Sequence, residues 1–194
     1  MKPVAIVFAR APRLGTVKRR LARGIGDRAA LRFHTETLTR LLRALAADRR
    51  FRTVLAVTPD RAFVKLPRGV IRIEQGHGDI GQRMHRALSR FPRRGSAVIG
   101  CDIPDAGPAD LSAAFRALGF ADAAFGPAAD GGYWLVALGP RRPSRPFANV
   151  RWSTSYALAD TLANFRTHRV ARLRTLSDVD TIAEWRARYQ AAEE

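Results

Sequence analysis

The chain has 194 residues, 34 of them Lys or Arg and 17 Asp or Glu, so its formal net charge is +17; 46% are hydrophobic and one is cysteine. That length and hydrophobic content fit one folded domain, expected over 1–194, and exclude wholesale disorder. A lone Cys101 excludes a disulfide framework or a four-cysteine zinc site, and apolar runs such as Val4–Ala9 are far shorter than the ~20 residues of a membrane span, so a cytoplasmic protein is expected.

Val4–Phe8 is a continuous apolar run, the pattern of a strand buried on both faces, and it breaks at the turn-forming Ala11–Gly15. A helix is expected from about Val17. A long amphipathic helix follows, with Asp27 as its N-cap and Leu31, Leu38, Leu41, Leu42 and Leu45 on one stripe. Arg52–Thr58 and Gly69–Glu74 read as the second and third strands. A loop with Gly76, Gly78 and Gly81 then runs into a helix over Gln82–Phe91, for which Asp79 is a cap. Ser96–Gly100 is the fourth strand, followed by a helix over Ala109–Leu118. Short strands over Ala121–Phe125 and Tyr133–Leu138 are separated by Asp130-Gly-Gly132, a strong turn signal. The Pro/Arg-rich stretch Gly139–Pro146 is expected to be a mobile loop. A helix over Thr154–Phe165 takes Ser153 or Thr154 as its cap. A short strand over Val170–Leu173 and a last helix over Thr181–Ala192, capped from Asp178–Asp180, complete the chain.

Strands alternating with helices of this length imply an α/β protein, a three-layer α/β/α sandwich around a mostly parallel mixed sheet. In such sheets ligands sit at the carboxyl ends of the strands, so the residues just after each strand carry the functional signal.

After the first strand, Gly15 lets the backbone approach a ligand, and the amides of the following helix start, with Lys18 and Arg20, suit a phosphate; a loop of solvated arginines fits the spacing equally well. Neither a G-x-G-x-x-G fingerprint nor a Walker A loop is present. After the third strand, three glycines in Gln75–Met84 permit close approach of a planar ligand. His77 and His85 have no Cys or His partner at metal-ligand spacing and read as incidental. After the fourth strand, Asp102 and Asp105 supply hard oxygens suited to Mg²⁺ or Mn²⁺ bridging to a diphosphate, although Asp105 suits a helix cap equally well; Cys101 reads as an apolar filler. Beyond the fifth, Asp130 is followed by Tyr133 and Trp134, two aromatics able to wall a pocket.

The positive charge is nearly all arginine, with only Lys2, Lys18 and Lys65 as lysines, and it is spread along the chain rather than clustered as a nucleic-acid footprint would be. It steers anionic substrates instead. No G-x-S-x-G elbow, Cys–His pairing or His-rich constellation supports nucleophilic chemistry. The parts present fit metal-assisted transfer at a nucleotide diphosphate or triphosphate.

Taken in order, Phe8–Leu21, Gln75–Met84, Ile99–Asp105, Gly126–Leu135, Trp152–Thr154 and Asp178–Thr181 resemble the glycosyltransferase-A-like family of unknown function 2064, named radical-SAM/selenodomain-associated transferases. They are also similar to the phospholactate and molybdenum-cofactor guanylyltransferases. The resemblance implies a nucleotide-diphospho-sugar transferase fold (GT-A, Rossmann-like), with Arg10, Gly15, Lys18 and Arg20 on the phosphates and Gln75, Gly78, Gly81 and Arg83 beside the base or ribose. It implies Asp102 as the metal-binding aspartate, catalytic together with Lys18, Asp130 as a second metal or acceptor contact, and an acceptor pocket of Tyr133, Trp134 and Trp152. The family's usual Lys, Pro and Thr are replaced here by Arg10, Leu14 and Arg19.

The expected function is a Mg²⁺- or Mn²⁺-dependent transferase using a nucleoside triphosphate or nucleotide sugar. The resemblance favours nucleotidyl transfer with release of pyrophosphate over glycosyl transfer. The acceptor is a small molecule or peptide; specific nucleic-acid and membrane partners are not expected. The alternative from another class is a non-catalytic nucleotide- or polyanion-binding module, which predicts metal-independent binding that falls steeply with salt.

Overall fold

The computed structural model describes residues 2–91 and 95–189. Seven strands form one sheet: β1 (Val4–Arg10), β2 (Arg52–Thr58), β3 (Ile71–Glu74), β4 (Ser96–Gly100), β5 (Ala123–Pro127), β6 (Tyr133–Leu138) and β7 (Val170–Arg172). They lie in the order β3-β2-β1-β4-β6-β5-β7, with β6 antiparallel to both neighbours and every other pairing parallel. Six helices connect them: α1 (Arg19–Ile25), α2 (Asp27–Ala47), α3 (Ile80–Ser89), α4 (Pro108–Ala117), α5 (Ala157–Ala163) and α6 (Ile182–Tyr189). This is the expected mostly parallel α/β/α sandwich.

Both faces of the sheet are covered, which is why β1 reads as an unbroken apolar run. Ala5, Val7 and Ala9 pack toward Leu38, Leu41 and Leu42 of α2 and Leu111 of α4, while Val4, Ile6 and Phe8 pack toward Met84 and Leu88 of α3 and Phe165. Period-two alternation along β1 thus feeds two separate cores.

Several helix starts differ from expectation. Gly26, at φ 83°, ends α1 and forms the N-cap of α2, so Asp27 is the first helical residue instead of the cap, its carboxylate set against the positive end of the helix. Asp79 does cap α3, in a capping box with Gln82, and this starts the helix at Ile80. Asp105 caps nothing: α4 begins at Pro108, Asp110 accepts from the Gly107 N–H at 2.9 Å, and Asp105 is taken by Arg188. Residues 152–156 form turns, leaving α5 to begin at Ala157 with Tyr156 at its N-cap; Thr154 Oγ1 accepts from the Tyr156 N–H at 3.2 Å. The start of α6 is held by Thr181 and Glu184, with Glu184 N–H donating to Thr181 Oγ1 and its carboxylate accepting from the amides of Asp180 and Thr181, which leaves the Asp180 side chain for another role.

The Asp130-Gly-Gly132 signal does produce a hairpin, joining β5 to β6 with Asp130 Oδ1 accepting from the Gly132 N–H at 2.9 Å. In the 139–146 stretch, Arg141 is fixed to Asp122 by two hydrogen bonds of 2.9 and 3.0 Å. No helix of the described residues is long and apolar enough to cross a membrane.

Candidate functional site

A cleft of about 550 Å³ opens where β1, β2 and β4 end, and it is lined on one side by the segment Thr16–Arg20. The strands stop together because they run parallel in register, so the residues after them converge at one rim.

Lys18 organises the floor. It sits at the N-cap of α1 in a left-handed conformation (φ 48°), which turns its side chain inward. That side chain is 5% exposed, with Nζ 2.5 Å from Asp180 Oδ1 and 3.4 Å from Asp102 Oδ2. Burial opposes the ammonium charge, but the two aspartates outweigh it and hold the Lys18 pKa above the ordinary lysine value. Asp180 also accepts from Arg20 at 2.6 Å. Burial raises the Asp180 pKa, Lys18 and Arg20 lower it, and the net direction is downward.

Asp178 joins them. Carboxylate oxygens of Asp102, Asp178 and Asp180 lie within 4.8 Å of one another. Burial first, then the charges of Asp180 and Asp102, push the Asp178 pKa up to about 6. Three carboxylates thus face one buried ammonium, with Arg20 on Asp180 alone. The C-terminal segment reaches this place because Val179 N–H donates to the Asp102 carbonyl (3.3 Å) and Leu176 bridges to Ala128, which threads it past the end of β4.

Holding Asp178 half-buried beside two other carboxylates has a measurable consequence without any ligand. The folded pKa of Asp178 (about 6) lies above the ordinary 3.8, so its penalty is complete above pH 6 and is relieved as pH falls toward 4. In metal-free buffer, Asp178→Asn is therefore expected to stabilise the protein at pH 7.5 by about 1 kcal/mol once solvent screening is allowed for. The gain should shrink at pH 4.5, as read from paired thermal melts.

Other expected residues are placed less directly. The Arg10 side chain is exposed, its Nη1 3.4 Å from the Thr16 carbonyl. Gly15 takes φ 71° over open space, as a turn before a ligand loop requires. Gln75 is buried and fully committed: Nε2 donates to the carbonyls of Ala9 (3.1 Å) and Ala56 (2.8 Å), and Oε1 accepts from Arg83. It ties β1, β2 and β3 together under the cleft and presents Arg83 to it. Gly78 and Gly81 serve packing. A Cβ on Gly78 would meet the capping Gln82 at 2.0 Å, and one on Gly81 would meet the Trp152 ring at 2.6 Å.

The three aromatics do not form one wall. Tyr133 and Trp134 are adjacent on β6 and face opposite sides of the sheet; Trp134 is 3% exposed, lies over Gly126 and donates to the Arg174 carbonyl at 3.3 Å. Trp152 packs against Gly81 and edge-on to Tyr133, away from the cleft lining. Asp130 is exposed at the hairpin tip, close enough to raise the Asp178 pKa but outside the three-carboxylate cluster.

Three residues were missed. Asp178 and Asp180 read locally as a helix cap, yet their spacing in an extended segment sends both carboxylates the same way, which was the available signal. His34 lies on the buried stripe of α2, and only the fold shows that its Nε2 meets the Arg10 carbonyl at 3.0 Å beneath the loop. Burial lowers its pKa, so the neutral ring donates to that carbonyl. Cys101 is buried with its thiol pKa raised by burial, consistent with a filler.

The family model described as uncharacterized protein conserved in bacteria (DUF2064) matches residues 41–154, more than half of the chain. The chain belongs to this family. No curated protein matches it significantly. Among solved structures, this DUF2064 chain is similar to a candidate nucleotide-diphospho-sugar transferase from Desulfovibrio desulfuricans G20, at 25% identity and TM-score 0.89 over 100% of this chain and 89% of that one. It shares its fold with Rv0371c of Mycobacterium tuberculosis H37Rv in complex with manganese (17% identity, TM-score 0.53, 98% and 100% covered). The same holds for CMP:2-keto-3-deoxy-manno-octonic acid synthetase in complex with CTP (12% identity, TM-score 0.54, 100% and 99% covered). The fold is that of nucleotide-diphospho-sugar transferases and nucleotidyltransferases.

Proposed function

We propose that this DUF2064 protein is a transferase that binds a nucleoside triphosphate or nucleotide sugar in the cleft with a divalent cation, and that it transfers the nucleotidyl group. The observation that carries this reading is the convergence of Asp102, Asp178 and Asp180 on Lys18 at the strand ends. The donor set suits Mg²⁺ or Mn²⁺: three hard carboxylates with one buried ammonium leave net negative charge, which adds to burial in raising the Asp178 pKa. Asp102, Asp178 and Asp180 would hold the ion. When bound, it would neutralise charge on the donor phosphates. The D. desulfuricans protein's name and the CTP and manganese found in structures of this fold support the reading.

The chain's own residues do the rest. Lys18 and Arg20 are drawn toward the phosphates from Asp180, Arg83 supplies a cationic edge braced by Gln75, and His34 holds the Arg10 carbonyl so that the Thr16–Arg20 segment keeps its place. Such charge placement in a preformed cleft lowers the barrier to displacement at phosphorus without reorganisation at the moment of transfer. Nucleotidyl transfer breaks the bond between the α- and β-phosphates and releases pyrophosphate; glycosyl transfer breaks the bond from the sugar to phosphate and releases a nucleoside diphosphate.

The test is a thermal-shift panel of nucleoside triphosphates and nucleotide sugars at moderate salt, with and without Mn²⁺, on wild type and Asp102→Asn, followed by identification of the released product. Mn²⁺-dependent stabilisation by one ligand class, absent in Asp102→Asn, with pyrophosphate as product, is the expected result. Equal, salt-sensitive shifts from every polyanion in both proteins would sink the transferase and leave a basic binding module.

A further inference from the structure

We propose that the Lys18 ammonium and the divalent ion are alternative occupants of one carboxylate site, so that loading the ion expels Lys18 from Asp102 and Asp180 into the cleft. This rests on the metal-dependent reading of the cleft and adds to it what the ion must displace.

The cluster already holds a cation of the chain's own. Lys18 Nζ lies 2.5 Å from Asp180 Oδ1 and 3.4 Å from Asp102 Oδ2, and both residues belong to the three whose carboxylate oxygens lie within 4.8 Å of one another. Arg20 sits on the other oxygen of Asp180, Oδ2, at 2.6 Å. Each oxygen of Asp180 thus carries a cation before any ion arrives. Of the two, Lys18 is the one in the ion's way. Arg20 is exposed and touches Asp180 alone, whereas Lys18 spans two of the three carboxylates from a side chain that is 5% exposed. An ion held by Asp102 and Asp180 would share their oxygens with the ammonium, and two cations so placed, with little water to screen them, repel strongly.

Lys18 is also free to leave. Its ammonium is a compact charge on a flexible four-carbon stem, with no rigid fork to unpick. Its place in α1 is held by the backbone: the Lys18 carbonyl accepts from the Ala22 N–H at 2.8 Å, and its side chain makes no capping bond. The ammonium can therefore swing without unwinding the helix. The cleft it lines is shared with Arg10, Arg19, Arg20 and Arg83, a surface of donors suited to phosphate oxygens. An expelled ammonium regains an anionic partner when a phosphorylated donor is bound, so ion and donor should bind cooperatively. Lys18 thereby sets the affinity for the ion and reaches the phosphates only once the ion is in place.

The chain has three lysines, and Lys2 and Lys65 are exposed, which supplies the controls for selective labelling. Wild type is acetylated with limiting N-hydroxysuccinimidyl acetate at rising Mn²⁺ without nucleotide, each lysine being followed by peptide mass. Bound Mn²⁺ is read in parallel by electron paramagnetic resonance. Labelling of Lys18 is expected to rise about tenfold with Mn²⁺ occupancy while Lys2 and Lys65 stay constant. Lys18→Ala should bind Mn²⁺ about tenfold more tightly than wild type, and Arg20→Gln, which removes an equal charge from the exposed side of Asp180, about twofold. Mn²⁺ bound with Lys18 still protected, or held no more tightly by Lys18→Ala than by Arg20→Gln, would overturn the displacement and leave the metal site standing. Mn²⁺ bound by none of the three proteins would overturn the metal site and the displacement with it. The wild-type labelling decides on its own should Lys18→Ala not fold.

Discussion

Replacing Lys18 with Ala is expected to cost about 2–4 kcal/mol of stability in metal-free buffer, and Mn²⁺ should return much of it. The side chain is 5% exposed and its ammonium touches both Asp180 and Asp102. Truncating one partner of a buried ion pair leaves the others' charge uncompensated, which is far more costly than the pair itself is stabilising. Here the survivors are three carboxylates within 4.8 Å, and only the exposed Arg20 remains on one of them. A divalent ion supplies the missing charge, so the Mn²⁺-induced rise in melting temperature should be larger in Lys18→Ala than in wild type. Transferase activity should nevertheless stay depressed by about 10²–10³ if Lys18 serves the donor phosphates as proposed, since the metal cannot replace that hydrogen-bond donor. A variant that melts like wild type, or that gains no more from Mn²⁺, would show that Lys18 does not neutralise this cluster.

Gly131→Ala is expected to destabilise the protein by about 3 kcal/mol, a fall in melting temperature of roughly 10 °C for a chain of this size. Gly131 turns the β5–β6 hairpin at φ 87°, and a Cβ there would sit 2.2 Å from the Ser155 carbonyl oxygen and 2.7 Å from its Cα. Backbone atoms cannot swing aside as a long side chain can, so the left-handed strain adds to overpacking. The Gly131 carbonyl also accepts from Leu158 N–H at 3.1 Å, which pins the hairpin to the start of α5. Gly132→Ala is the control: its Cβ would meet only the Asp130 carboxylate, at 3.1 Å, and φ there is not left-handed. Paired melts should separate the two variants by several degrees.

The legible parts of the fold were those written in local pattern. Arg52–Thr58, Ser96–Gly100 and Tyr133–Leu138 have the expected bounds because each apolar run is closed by a polar or turn-forming residue. The Asp79 cap was legible because cap and partner sit three residues apart. Gly26 displaced Asp27 as a cap because the chain must reverse there between two helices, which spacing alone does not reveal. Lys18 and Asp102 were legible as strand-end residues, but the carboxylate nearest the lysine, Asp180, is 162 positions away along the chain. Its local neighbourhood looks like a helix start, and only the tertiary path past Asp102 gives it the other role. Gln75 was placed beside the base or ribose by the family resemblance; what only the fold shows is its burial and its bonds to two strands, which make it a brace under the cleft.

The most direct measurement is a Mn²⁺ titration followed by electron paramagnetic resonance, with nucleoside triphosphate present, on wild type, Asp102→Asn, Asp178→Asn and Asp130→Asn. One tightly bound ion per chain, lost with Asp102 or Asp178 and retained with Asp130, is the predicted result. Mn²⁺ binding that ignores Asp102 and Asp178 would contradict a metal-dependent transferase built on these carboxylates.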